Sequence, residues 1–278
     1  MSNKFLILLF LFCFWSCSTA QTQVSNASPN ISAPKSETIA KITNNAKVVH
    51  VLVALCDNVN QGIVPVPAHL GNGEDTEKNL YWGAAYGVKN YFGKSASWQK
   101  LATVANPKEN VLERVIFKHK TQNVYLIADA YRGSKMKETI NDFFSAITGE
   151  ILENVTVNNQ TIQTLGSANL VAFVGHDGLM DFKLEKEIIK KDEAKRDAIV
   201  LACASRNYFG EHLKKTNAKP LLWTSNLMAP EAYILHDALE GWIRGETDSQ
   251  IQNRAASAYA KFQKISVKSA SNLLVTGW

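Results

Sequence analysis

The stretch Val48-Val49-His50-Val51-Leu52-Val53-Ala54-Leu55 is almost continuously apolar. A strand with one face in water alternates apolar and polar residues, whereas an unbroken run fits a strand covered on both faces. Four more runs of this kind follow, at residues 124–128, 170–174, 198–202 and 220–223. Stretches with helical spacing lie between them. Over 135–147, Met136, Ile140, Phe143, Phe144 and Ile147 share one helical face, and Ser134 reads as the N-cap. The stretch 230–243 opens with Pro230 and acidic Glu231, both favoured at a helix start. Residues 184–194 and 249–262 read as two more helices. Apolar runs alternating with helices predict an α/β fold, a single doubly wound and mostly parallel sheet flanked by helices.

Composition agrees with a globular chain. Of 278 residues, 46% are hydrophobic and 20% charged, which excludes a disordered or collagen-like chain. The net charge is 30 − 25 = +5 and is spread along the sequence. No basic run interleaves with aromatics, so no nucleic-acid partner is expected. There is no Walker loop, dinucleotide fingerprint or Gly-x-Ser-x-Gly elbow. His50, His69, His119, His212 and His236 are scattered, with no metal-type pair among them. Neither a metal nor a cofactor is expected.

Residues 1–20 read as a signal peptide. Lys4 precedes an unbroken apolar run over 5–15, too short for the roughly 20 residues of a spanning helix and suited to a signal core. Two processing routes remain open. Phe14-Trp15-Ser16-Cys17 resembles a bacterial lipobox, with Cys17 lipidated as the first mature residue, although Phe14 stands where Leu is usual. Ser18-Thr19-Ala20 before Gln21 would suit ordinary cleavage instead. Residues 21–47 are polar, contain Pro29 and Pro34, and read as a flexible linker. The folded domain then spans 48–278. This organisation places the protein in the periplasm or on the outer surface, with a lipid anchor as its membrane contact.

In open parallel sheets, ligands bind at the carboxyl ends of the strands. The residues after each apolar run are therefore the informative ones. The run 170–174 delivers Gly175-His176-Asp177-Gly178, and the run 198–202 delivers Cys203. Their separation, 203 − 176 = 27 residues, leaves room for one connecting helix between adjacent strands. A thiol needs a nearby base to act as a nucleophile at neutral pH, and an imidazole can supply it and later protonate the leaving group. The amide of Asp177, after the histidine, is the expected oxyanion donor. The other strand ends offer Asp57, Arg132, Ser225 and Asn226 as candidates for a substrate pocket. The glycine-rich loop 57–79 leaves the same edge and is expected to border the site.

The two motifs resemble those of the caspase-like cysteine peptidases, the group of caspase-, legumain-, gingipain- and separase-type enzymes. There a strand ends in His-Gly and the next ends in Ala-Cys or a similar pair. His176 and Cys203 stand in those places in that order, with Asp177 inserted before Gly178. The resemblance implies peptide or protein substrates and an acyl-enzyme on Cys203, with His176 as acid and base. It also implies a strand order with the His176 strand between those bearing Cys56 and Cys203. Two strand spacings are roughly 9.6 Å, beyond the ~7 Å limit for a disulfide. Cys203 would then be a free thiol. The alternatives are a non-catalytic envelope-binding lipoprotein that kept the fold, and a non-peptidase acyl transfer at the same pair.

Overall fold

The computed structural model describes residues 41–42 and 45–278, which belong to one compact unit, Thr38–Trp278. The signal peptide, Cys17 and most of the linker lie outside the described residues. Within the linker stretch, Lys41–Ile42 forms a short strand, β1.

Eight strands build the main sheet. They are β2 (Lys47–Ala54), β3 (Trp98–Lys108), β4 (Val111–His119), β5 (Val124–Tyr131), β8 (Leu170–Val174), β9 (Asp197–Leu201), β10 (Lys219–Thr224) and β11 (Leu274–Val275). Their order is β11-β10-β9-β8-β2-β5-β4-β3. The five central strands, from β10 to β5, run parallel, and β11, β4 and β3 are added at the two edges through antiparallel pairings. Each of the five apolar runs is one of these central strands. In β2, Val49, Val51 and Val53 enter one core, while Val48, Leu52 and Ala54 enter the other. Successive side chains point to opposite faces, so a strand covered on both sides must be apolar throughout.

One core is closed by α1 (Val88–Gly93), α4 (Ala232–Ile243) and α5 (Asp248–Gln263), the other by α2 (Met136–Ile147) and α3 (Ser205–Leu213). Helix α6 (Val267–Leu273) leads into β11. The hairpin of β6 (Leu152–Val157) and β7 (Gln160–Leu165) adds Val155, Val157, Ile162 and Leu165 to the second core. Asn158 and Asn159, both at positive φ, make its two-residue turn. β1 pairs with β7 in this small sheet. No helix among the described residues is long and apolar enough to cross a membrane.

Several local expectations are corrected. Residues 184–194 are not helical. Phe182, Leu184 and Ile188 instead pack on the second core from an irregular segment. Lys137 of α2 binds Glu185 at 2.6 Å, and Lys191 N–H donates to Thr148 O at 2.9 Å, so the segment is held by its neighbours rather than by its own turns. Ser134 is not a cap; it lies in a 3₁₀ turn, and Lys135 takes the N-cap position of α2 without a side-chain bond. Helix α4 starts at Ala232, two residues after Pro230, with Glu231 as N-cap. By contrast, α5 is opened by a capping box between Thr247 and Gln250.

Candidate functional site

Register brings His176 and Cys203 to the same level. Val174 of β8 pairs with Leu201 of β9, and each candidate stands two residues past its strand's paired end. Parallel neighbours lie about 4.8 Å apart. The strands therefore present both residues side by side at the carboxyl edge. They line one cleft of about 320 Å³ together with Ile63, Val64, Tyr81, Met180, Leu227 and Met228. The loop after β2 does border the site, through Gly62, Ile63 and Val64.

Cys203 is half-buried and free. It sits in a tight strand-to-helix turn. Ala204 has left-handed backbone angles (φ 48°, ψ 31°), a conformation that costs a residue with a Cβ of order 1–3 kcal/mol and persists only where the surroundings enforce it. Here the enforcement is visible. Ser205 Oγ donates to Val200 O at 2.9 Å, Ser205 N–H donates to Thr224 Oγ1 at 3.1 Å, and Ala204 N–H donates to Asn226 O at 2.8 Å. The sulfur accepts from Met228 N–H at 3.3 Å.

His176 is oriented by a residue that sequence reading missed. A 3₁₀ turn over Gly178–Met180 folds the chain back, and Asp181 Oδ2 meets His176 Nε2 at 2.6 Å. The Gly62 loop approaches this solvent-exposed carboxylate: a Cβ on Gly62 would stand 3.1 Å from Asp181 Oδ1. With Nε2 engaged, Nδ1 is the ring nitrogen left for chemistry. Only the shape of the turn makes a residue five positions on its partner, and no spacing rule announces that.

Asp177 is fully buried. Its Oδ1 accepts from Leu179 N–H at 3.0 Å, and Oδ2 has no partner. Burial pushes the carboxyl up to about 7, against the Leu179 bond, with the nearby Asp181 charge adding to the rise. The amides of Asp177 and Cys203 have no acceptor among the described residues, whereas the Gly178 amide is committed to His176 O at 3.1 Å.

The remaining candidates do not line the cleft. The Asp57 carboxylate turns back on its own loop, accepting from Val59 N–H at 2.9 Å, Asn60 N–H at 3.1 Å and Asn60 Nδ2 at 2.8 Å. A Cβ on Gly73 would overlap it, which requires glycine there. Arg132 pairs with Glu74. Ser225 Oγ donates to Asn272 O at 2.7 Å, and Asn226 Oδ1 accepts from Leu227 N–H at 2.8 Å. Cys56 is free, buried and remote from disulfide formation with Cys203, because β8 runs between their strands.

No cluster of three or more His, Cys, Asp or Glu side chains among the described residues is arranged to hold a metal ion. Compared with known proteins, the chain matches no family model, no curated protein and no solved structure.

Proposed function

We propose that the protein is a cysteine peptidase with a caspase-like sheet, forming an acyl-enzyme on Cys203. The observation that carries this reading is the shared register of His176 and Cys203 on adjacent parallel strands, opening into one cleft. The order β2-β8-β9 is the order that the caspase-like resemblance implies.

In this mechanism His176 Nδ1 takes the Cys203 proton as the sulfur attacks the substrate carbonyl carbon. The carbonyl electron pair moves to oxygen, and the amides of Asp177 and Cys203 are the donors for that oxyanion. Collapse breaks the C–N bond, and His176 passes its proton to the departing amine. Water, deprotonated by His176, then attacks the thioester, releases the acid and restores the thiol. Asp181 is a positioning residue: it fixes the ring and balances the imidazolium charge. The proposed location is the periplasm or outer surface, with Cys17 as the proposed lipid anchor, and Lys4 before the apolar run over 5–15 supports export.

The test compares wild type with His176→Ala in peptide hydrolysis and in alkylation of Cys203 by iodoacetamide near neutral pH. Hydrolysis should fall by about 10²–10⁴, the usual scale of general acid–base catalysis, and alkylation should slow with it. Equal alkylation rates in the two proteins would overturn the pair and favour a binding protein. Asp181→Asn should lower kcat/KM by about 10–100-fold through kcat and leave KM nearly unchanged.

A further inference from the structure

We propose that the cleft beside Cys203 selects an apolar, uncharged side chain on the acyl side of the scissile bond. The inference rests on the peptidase reading and names its substrate class. Ile63, Val64, Met180, Leu227, Met228 and Pro230 line the opening around the sulfur. They come from three separate segments, the loops after β2, β8 and β10. Three of them are unusually open for their type, with Val64 at 88%, Leu227 at 65% and Met180 at 42% exposure. Large apolar side chains held in water on three loops around one opening mark a surface that gains from being covered. Tyr81, itself buried, adds one side of its ring to this lining.

Charge points the same way. A charged side chain entering the cleft would lose water and need a counter-charge. None of the described Asp, Glu, Lys or Arg side chains near this edge lines the cleft, the exposed Arg206 at the start of α3 included. Asp181 holds His176, Asp57 caps its own loop, Arg132 is tied to Glu74, and Asp177 is buried. Among the described residues, the ionisable groups lining the cleft are the reacting His176 and Cys203 and the Tyr81 phenol. A volume of about 320 Å³ accommodates a Leu, Met or Phe side chain.

The test uses three peptidyl acyloxymethyl ketones that differ only at the residue next to the ketone: Leu, Lys or Asp. Labelling of Cys203 is followed by intact mass. The Leu probe should label at least about tenfold faster than the other two, the discrimination expected when an apolar side chain is buried against a charged one left without a partner. Leu227→Glu, on an exposed position, should slow the Leu probe and speed the Lys probe. A faster or equal rate for Lys or Asp overturns the proposal. So does failure of all three probes while iodoacetamide alkylation still depends on His176, because the pair is then intact and the cleft does not take the side chain. Loss of that His176 dependence identifies failure of the peptidase reading itself, and the substrate class falls with it.

Discussion

Asp129 and Asp177 are both carboxyls wholly out of contact with solvent, and their surroundings are opposite. Arg114 reaches Asp129 with two bonds, of 2.6 and 2.7 Å, and extends two more to Glu153 at 2.6 and 3.0 Å. Lys108 closes on Glu153 at 2.7 Å. His50 lies 3.3 Å from Asp129 on its other side and shares a 2.7 Å bond with Thr164 of the hairpin. Burial alone would raise the Asp129 carboxyl; Arg114 and His50 outweigh it and hold the group well below the carboxylate range. Asp177 has no cation near it and is pushed the other way. A buried charge with partners joins sheet to hairpin. A buried carboxyl without them is a group whose protonation changes near neutral pH, one residue from His176. The cysteines repeat the lesson. Cys56 is sealed between Asn79 bonds to its amide and carbonyl, and burial pushes its thiol up to about 11. Cys203 opens on the cleft.

Removing one member of the complete network should have the largest effect on stability. Arg114→Met leaves the buried Asp129 without its fork and Glu153 with Lys108 alone, and should cost about 3–5 kcal/mol in denaturant unfolding. The double variant Arg114→Met with Asp129→Leu should recover much of that loss. A single-variant loss under about 1 kcal/mol would break the contrast, because it would put the network on the scale of a surface pair.

Asp177→Asn tests the other side. The folded carboxyl titrates near 7 against an ordinary value of 3.8, so the folded state binds more protons than the unfolded state between those values. Wild-type stability therefore falls as pH rises through that window and levels off above it. The amide variant lacks this slope. It should be more stable than wild type by about 1–3 kcal/mol near pH 8 and show no such advantage below about pH 4. Parallel stability–pH curves for the two proteins would remove Asp177 from the comparison.

Cys56→Ala should have the smallest effect, about 1 kcal/mol of stability and no change in peptide hydrolysis. In the folded wild type, iodoacetamide at neutral pH should modify Cys203 and leave Cys56 untouched, as read by peptide mass mapping. Equal modification of both would erase the difference between the two strand ends.

What could be read from the sequence follows from how each element is stabilised. The five central strands were legible because burial on both faces demands an apolar run. β4 was not, since Glu113 and Arg114 interrupt it, yet both are buried. Glu113 accepts from Trp82 Nε1 at 2.6 Å, and Arg114 joins the Asp129 network, so distant partners make these charges tolerable. β3 is an edge strand whose exposed residues give no clear alternation. The segment 184–194 carried helical spacing in its apolar residues, but tertiary contacts to α2 and the second core hold it without regular secondary structure.

The sequence by itself determined the class of fold and the edge at which reactive groups gather, because strand burial and strand polarity are written in local patterns. It also named His176 and Cys203. Only the tertiary structure decided the rest: that register sets those two level, that a 3₁₀ turn delivers Asp181 to the ring, and that Asp57, Arg132, Ser225 and Asn226 are occupied elsewhere. Which side chains line a cleft depends on where three loops meet, and hydrogen bonds between residues far apart in the chain settle that.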